Sequence, residues 1–295
     1  MRKTAIILNP AARGERAARL REEIEALAAG SATLLRTAKR GEASLLARQA
    51  VSEGFEQVIA AGGDGTINEV VNGAAGSDVA IGLLPTGTMN VFAAELGLSR
   101  KLSECWEVIR AGTTREIDLP TANGHAFVQL AGVGLDAQVV QETSWDSKKT
   151  FGPLSYLFSA AQIAARKPPK LRVEASGREP VEGSFVLIGN GRLYGGPFTV
   201  FTGAKIDDGL LDVLVFKNLG YLDIARYLHA IAFQSHARLP DVEYFRTAEL
   251  SVSGAGPGPI PVEVDGEVIG AVPVEFRFHP KRLRVLAPEP KTVRS

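Results

Sequence analysis

The stretch FEQVIAAGGDGTINEVVNG, residues 55–73, decides the fold of the first part of the chain. Its apolar run QVIAAG is typical of a buried strand, and TINEVVNGA has the period of a helix. Two glycines, an aspartate and a third glycine join these elements. Glycines let the backbone approach a ligand closely, and the N–H groups at the start of a helix favour an anion. The stretch therefore predicts a strand, a phosphate-binding turn and a helix.

The same alternation of strand and helix runs through the first 120 residues. TAIILN, ATLLRT and VAIGLLP are strand-like, and amphipathic helical segments such as ERAARLREEIEALAA at 15–29 lie between them. Short connections between such elements favour a parallel sheet with flanking helices. After about residue 113, alternating strands with few helices follow. We expect a nucleotide-binding α/β domain over 1–120 and a mostly antiparallel β domain over 121–281. The last strand, RLRVLAP at 282–288, either closes the second domain or returns within 282–295 to complete the first.

Composition excludes several classes of protein. The 295 residues are 45% hydrophobic and 22% charged, which suits a sizeable core. Lys+Arg and Asp+Glu both number 33, which argues against a nucleic-acid partner. Cys105 is the only cysteine, so no internal disulfide can form. The first apolar run is about four residues long, shorter than the ~7–15 of a signal peptide. We expect a cytoplasmic protein.

Three strand-to-helix junctions carry residues suited to phosphate: NPAARG at 9–14, GGDGT at 62–66 and LPTGTMN at 84–90. Because the carboxyl ends of parallel strands meet at one edge of a sheet, we expect these loops to converge there. The hydroxyl groups available to a phosphate are those of Thr66, Thr86 and Thr88. The carboxylate of Asp64 does not suit an anion unless it binds a cation or orients a hydroxyl group. It therefore suggests a nucleotide with Mg²⁺.

Other interpretations of these motifs remain open or are excluded. Thr66-x-x-Glu69 also fits a capping box, in which both side chains only start a helix. GVGLDA at 132–137 is similar to the G-x-G-x-x-A motif of dinucleotide-binding domains. Because it lies in the β-rich half, we expect it instead to shape a wall of a cleft between the two domains. No G-x(4)-G-K-[ST] occurs, so the chain is not a P-loop NTPase.

The ordered set of motifs resembles the diacylglycerol kinase catalytic-domain family, which includes sphingosine and ceramide kinases and soluble bacterial lipid kinases. The likeness covers nearly the whole chain through GGDGTINEVVNGA, LPTGTMNVFAAELG, NPAARG, RTAKRGEA, AGVGLDA, IGNGRLYGGPF, AKIDDGLLD and VEVDGEVIG. It implies an N-terminal α/β domain like that of NAD kinases and phosphofructokinases, a β-rich C-terminal domain, and an active site in the cleft between them. The implied reaction is ATP- and Mg²⁺-dependent transfer of a phosphoryl group to a lipid hydroxyl, of diacylglycerol or a related lipid. The implied place in metabolism is phospholipid biosynthesis.

The resemblance also assigns site residues. It gives catalytic roles to Asp64, Asp265 and Glu267. The general base is either Asp265 or Glu267. Glu267 is preferred because Asp265-Gly266 also fits a two-residue hairpin turn. Mg²⁺ would be held by Asp208 and by the backbone carbonyls of Lys205 and Leu210. The nucleotide would contact Asn9, Pro10, Ala11, Ala12, Arg13, Thr37, Gly63, Asp64, Gly65, Thr66, Ile67, Asn68, Glu69 and Thr88.

One position departs from the family, and several properties stay open. Many members carry Asp after the Asn of the third loop, where this chain has Val91, so the role of that position is open. A lipid substrate implies peripheral contact with the inner face of a membrane. The oligomeric state is open, and a homodimer is one alternative. The choice between Mg²⁺ and Mn²⁺ is open as well. Two roles are open for one set of apolar residues, which either form the mouth of a lipid-binding site or belong to the hydrophobic core. They are Tyr156, Leu157, Phe158, Ile163 and the helix at 221–233.

Two alternative functions share these features. An NAD kinase carries the same GGDGT and a two-domain plan, although LPTGTMN and KIDDGLLD argue against it. A non-catalytic nucleotide-binding regulator would keep the fold without transfer.

Overall fold

The computed structural model describes residues 2–10, 15–135, 137–138, 168–196, 198–255 and 258–289. The chain divides into two compact units. The first comprises Met1–Leu119, Gly195–Pro197 and His279–Ser295, and the second Pro120–Tyr194 and Phe198–Phe278. Within the described ranges, no helix is both long and apolar enough to cross a membrane.

The first unit contains a six-stranded sheet in the order β2-β1-β3-β4-β20-β5, in which every neighbouring pair is parallel except β20 and β5. Its strands are β1 (Thr4–Leu8), β2 (Thr33–Arg36), β3 (Gln57–Gly62), β4 (Ala80–Pro85), β5 (Thr114–Ile117) and β20 (Leu283–Leu286). All residues of β1, β3 and β4 are buried, as their continuous apolar runs predict for the centre of a parallel sheet. The last strand returns to the first unit, which decides the alternative that the sequence left open.

Within the part of the chain that the structure describes, five helices accompany this sheet: α1 (Glu15–Ala28), α2 (Glu42–Ser52), α3 (Asp64–Ala74), α4 (Val91–Glu95) and α5 (Leu102–Ala111). Ile24 of α1 and Trp106 of α5 pack on one cluster with Ile6 and Ile59 of the sheet. α2 and α3 pack on each other so closely that a Cβ at Gly73 would lie 2.2 Å from the carbonyl oxygen of Ser44. The predicted α/β arrangement is confirmed.

The second unit is a sandwich of two six-stranded sheets, in the orders β10-β9-β16-β19-β6-β7 and β15-β14-β11-β8-β17-β18. All pairings within them are antiparallel, as predicted. The first sheet contains β6 (Pro120–Ala122), β7 (His125–Ala126), β9 (Lys170–Ala175), β10 (Val181–Gly183), β16 (Leu250–Ala255) and β19 (Val274–Phe278). The second contains β8 (Leu130–Val133), β11 (Phe185–Gly189), β14 (Leu211–Phe216), β15 (Val242–Thr247), β17 (Pro261–Val264) and β18 (Glu267–Ala271).

Alternate residues of the two sheets form the core of the sandwich, for example Val173, Val252, Val213 and Val262. The other face of the second sheet is covered by α6 (Tyr221–Ala232), which a short 3₁₀ turn, His236–Arg238, follows. A separate hairpin joins β12 (Leu193–Tyr194) to β13 (Phe198–Thr199).

Candidate active site

The second and third predicted phosphate loops touch through their backbones. The N–H of Thr86 donates to the carbonyl oxygen of Gly62 at 3.0 Å. A Cβ at Gly87 would lie 2.7 Å from the Cα of Gly63, a distance that real Cβ atoms essentially never show. Glycine at these positions therefore lets the turns after β3 and β4 lie against each other.

Asp64 joins the same two loops through its carboxylate. Its oxygen atoms accept the N–H of Asn90 at 3.0 Å and of Val91 at 2.8 Å, at the start of α4. Burial raises the pKa of Asp64, and these N–H donors oppose that rise. Sequence reasoning assigned the carboxylate to a cation or a hydroxyl group and missed this role. Because residue 91 contributes its backbone N–H, the contact does not depend on the side chain at the position where relatives carry Asp.

Asn90 closes the third loop and was not predicted as a site residue. Its side chain accepts the N–H of Gly87 at 3.0 Å and donates to the carbonyl oxygen of Gly87 at 2.8 Å. Its φ of 51° lies in the left-handed region, which asparagine tolerates better than most residues. The signal available in the sequence was an Asn three residues after a Gly in a loop.

The first loop reaches the second through Asn9, whose side-chain amide donates to the hydroxyl oxygen of Thr66 at 2.9 Å. A Cβ at Gly62 would lie 2.5 Å from that same oxygen, so Thr66 packs over a glycine. A Cβ at Gly65 would meet nothing within 4 Å. The described part of the first loop thus meets the second at the first turn of α3, where helix N–H groups lack partners inside the helix.

Glu69 holds a different helix from the one predicted. Its carboxylate accepts the N–H of Gly41 at 2.9 Å and of Ala43 at 3.1 Å, at the start of α2. α3 begins at Asp64, its N-cap is Gly63, and no side chain caps it. The prediction that Thr66 and Glu69 form a capping box is therefore wrong. The carboxylate instead serves a partner helix that lies 26 to 28 residues earlier in the chain.

The other predicted nucleotide residues differ in what they can offer. Ile67 and Asn68 are buried, with exposed fractions of 1% and 2%, so neither offers an exposed side chain to a nucleotide. Thr37 is buried and its N–H donates to the carbonyl oxygen of Leu8, whereas Thr88 is exposed. The carbonyl oxygen of Pro10 accepts a hydrogen bond from Arg21. Ala11, Ala12 and Arg13 lie outside the described residues, as do Tyr156, Leu157, Phe158 and Ile163.

The predicted base segment forms the tight turn between β17 and β18. Asp265 and Gly266 have φ values of 48° and 83°, as a two-residue type I′ turn requires. Both carboxylate oxygens of Asp265 are used by the backbone, because they accept the N–H groups of Val128, Gln129 and Leu130 at 2.8, 3.0 and 3.1 Å. Asp265 therefore fixes the segment that enters β8.

Two glutamates flank this turn. Glu267 is the first residue of β18 and is half-buried. Glu263, which the sequence analysis did not single out, is 1% exposed, and its carboxylate accepts the N–H of Gly266 at 2.7 Å. In the alternating strand VEV, Glu263 lies on the face opposite to the core residues Val262 and Val264, so the sequence pattern did not indicate its burial.

The predicted metal loop is engaged by an arginine. The carboxylate of Asp208 pairs with the guanidinium of Arg246 and accepts the N–H of Leu210 at 3.2 Å. The fully buried Asp212 accepts hydrogen bonds from Arg246 at 3.3 Å and from the hydroxyl group of Tyr244. Burial raises the pKa of Asp212, while Tyr244 and Arg246 lower it.

In this arrangement Arg246 already pairs with the carboxylate of Asp208, so a Mg²⁺ ion at the predicted site would compete with that guanidinium. A hard cation needs carboxylate oxygens turned toward it, and both oxygens of Asp208 already have partners, one of them a cation. Arg246 was not predicted, since nothing in the sequence links it to a loop about forty residues earlier.

Comparison with known proteins agrees with this geometry. Residues 3–122 match the model of the diacylglycerol kinase catalytic domain, and residues 129–287 match the model of the YegS C-terminal NAD kinase beta sandwich-like domain. The chain belongs to the diacylglycerol kinase family. It is therefore a kinase, as the ordered motifs predicted.

Relatives and solved structures extend this finding. The diacylglycerol kinases of Staphylococcus aureus strains RF122 and Newman are each 30% identical over 256 residues, covering 85% of this kinase and 81% of the relative. A crystal structure of a diacylglycerol kinase from Bacillus anthracis Sterne has a TM-score of 0.78 at 23% identity, covering 97% of both chains. Another Bacillus anthracis Sterne chain has a TM-score of 0.81 at 23% identity, covering 98% of this kinase and 96% of that chain. At this identity the two structures show the fold of the kinase.

Proposed function

We propose that this kinase transfers the γ-phosphoryl group of ATP, bound as its magnesium complex, to a hydroxyl group of diacylglycerol or a related lipid. The observation that carries the proposal is the meeting of three loops at the carboxyl edge of one parallel sheet. Asn9 contacts Thr66, Gly63 contacts Gly87, and Asp64 accepts the N–H groups of Asn90, the last residue of the third loop, and of Val91, which follows it. The 30% identity to curated diacylglycerol kinases supports the choice of a lipid acceptor.

In this proposal the first turn of α3 and its glycines receive the phosphates of ATP. Backbone N–H groups fixed in place stabilise the charge that spreads over the transferring group. Gly65 is exposed and open on its Cα side, so it allows a phosphate to approach the backbone. The carboxylate oxygens of Asp64 accept the N–H groups of Asn90 and Val91, and since a carboxylate has about four lone-pair sites it can also bind the magnesium of the incoming nucleotide.

We assign the general base to Glu267. Both carboxylate oxygens of Asp265 accept hydrogen bonds from backbone N–H groups. Glu263 is buried, and its carboxylate accepts the N–H of Gly266. Glu267 accepts the proton of the lipid hydroxyl as the oxygen atom attacks the γ-phosphorus in line. The new O–P bond forms, the bond to the β,γ-bridging oxygen breaks, and ADP leaves. Asp265 is a positioning residue in this scheme.

The proposal is tested by incubating the purified kinase and γ-labelled ATP with total lipid extract, and separately with diacylglycerol, phosphatidylglycerol and sphingoid bases. We expect label in one lipid class. Labelled NADP in a parallel reaction with NAD would support an NAD kinase instead. Binding of ATP in a calorimeter without label in any acceptor would support a regulator. We also propose that the kinase acts in the cytoplasm at the membrane surface, since its acceptor resides there.

A further inference from the structure

The outer face of α6 is apolar and exposed to solvent. Leu222 is 87% exposed, Phe233 just beyond the helix end 71%, Tyr221 57% and Leu228 43%. These four account for half of the eight large apolar side chains that are exposed among the described residues. Single exposed apolar residues are common on proteins, whereas several on one helix mark a surface that is covered in use.

The opposite face holds α6 firmly to the second sheet. Ile224, Tyr227 and Ala230 are buried, and the ring of Tyr227 lies edge-on to Phe216 with ring centres 4.9 Å apart. The hydroxyl group of Tyr227 donates to Asp241 at 2.6 Å. The helix cannot turn its outer side chains inward without giving up these contacts.

The charges of α6 are already paired. The guanidinium of Arg226 contacts Asp223 at 3.1 Å and also pairs with Asp241. The residues of the outer face are otherwise uncharged apart from the titratable ring of His229. The surface therefore offers apolar area without an unpaired carboxylate that would oppose an anionic lipid.

We propose that the outer face of α6 inserts into the interfacial layer of a lipid bilayer and places the kinase on its substrate surface. This inference rests on the proposed lipid acceptor. The aromatic rings of Tyr221 and Phe233 stand at the two ends of the helix, and such rings favour the membrane interface. Arg238, in the 3₁₀ turn that packs against α6, is exposed and its side chain has no ion pair among the residues that the structure describes. A cation there complements anionic headgroups.

The size of the face argues against a second copy of this chain as its occupant. Four partly exposed side chains supply roughly 500 Å² or less, given ~150–250 Å² for a whole aromatic side chain. A stable protein–protein interface takes about 800 Å² from each partner. Shallow insertion into a bilayer has no such minimum, because each apolar side chain that leaves water contributes by itself.

The test uses the double variant Leu222→Gln, Phe233→Gln and the control Leu45→Gln, which changes a 58% exposed leucine on α2. Binding to sedimented vesicles of phosphatidylcholine and phosphatidylglycerol in equal parts is measured without ATP. We expect the double variant to bind roughly 100-fold more weakly than the wild type, since two buried apolar side chains are lost from the bilayer. The control and the thermal melting of both variants should match the wild type.

Each other outcome overturns the inference. Vesicle binding that the double variant retains, or wild-type protein that does not bind vesicles, excludes this face as the membrane contact. A wild-type dimer that the double variant converts to monomer assigns the face to a second copy. Failure of the proposed function looks different, because the vesicle measurement needs no catalysis: loss of binding in the double variant would stand even if no lipid were phosphorylated. In the kinase assay, the double variant should lose activity on vesicle-borne diacylglycerol and keep activity on a short-chain, water-dispersed diacylglycerol.

Discussion

Asp64 shows how one side chain can carry structure and function together. The GGDGT sequence predicted a phosphate turn, and its aspartate suggested a metal or nucleotide contact. In the structure its carboxylate accepts the N–H groups of Asn90 and Val91, so it also holds the third loop in place. Nothing in the sequence signals this contact, because the carboxylate of Asp64 binds backbone N–H groups that lie 26 and 27 residues later in the chain.

Asp64→Ala is therefore expected to lower both activity and stability. Two N–H groups lose their acceptor, which costs about 1–3 kcal/mol of unfolding free energy. Denaturant unfolding measures this loss. Asp78→Ala is the matched control, since that exposed carboxylate pairs only with surface cations, and its effect should be clearly smaller. Equal stability of Asp64→Ala and wild type would contradict the assigned contact.

At the scale of elements, the sequence predicted most of the strands and helices in the described residues. Continuous apolar runs indicated β1, β3 and β4, and the Asn123-Gly124 turn between β6 and β7 has the positive φ values, 48° and 85°, expected of a two-residue hairpin. Errors arose where a side chain serves a distant element. Thr66-x-x-Glu69 fits a capping box locally, yet Glu69 caps α2. The packing of α2 against α3 brings the N-terminus of α2 within reach of the Glu69 carboxylate.

Glu69→Ala should loosen the start of α2. Loss of a capping acceptor costs about 0.5–2 kcal/mol, and hydrogen exchange should rise at the N–H groups of Gly41 and Ala43. Glu107→Ala on α5 removes an exposed ion pair and should leave both the exchange and the melting temperature unchanged. Unaltered exchange at Gly41 in the first variant would exclude the cap.

Asp241 anchors α6, and its contribution should depend on pH. Arg226 holds the pKa of Asp241 below its ordinary value, and Tyr227 and Asn218 add hydrogen bonds. A carboxyl group whose pKa is lowered by folding stabilises the native state above its unfolded pKa of ~3.9. This stabilisation is lost as the pH falls through the lower, folded pKa.

Asp241→Asn should therefore melt at a lower temperature than wild type at neutral pH. The gap between the two should close as the pH falls below about 4. Thermal melts across this range measure it. A gap that stays constant into acid would show that the charge of Asp241 does not stabilise the fold.

At the scale of the whole molecule, the division into an α/β part and an antiparallel β part followed from the change in period along the chain. The order of the strands did not, because it is set by pairings between distant segments such as β20 with β4 and β5. The same limit hid Arg246, which reaches Asp208 and Asp212 only because β14 and β15 pair side by side.

We propose that the guanidinium of Arg246, which pairs with Asp208 and Asp212, holds this loop in place without a bound divalent cation. We expect the melting temperature of the nucleotide-free protein to be the same with EDTA and with excess Mg²⁺. Arg246→Met should melt at a lower temperature, because two carboxylates lose their cation. Strong destabilisation of the wild type by EDTA would instead support a metal ion at Lys205, Asp208 and Leu210.

The most direct measurement is transfer of label from γ-labelled ATP to diacylglycerol by the wild type and by Glu267→Gln. We predict labelled lipid with the wild type. With the variant we predict a rate lower by about 10²–10⁴-fold, the usual effect of losing a general base, at an unchanged melting temperature. No labelled lipid from the folded wild type, or full activity of Glu267→Gln, would contradict this account.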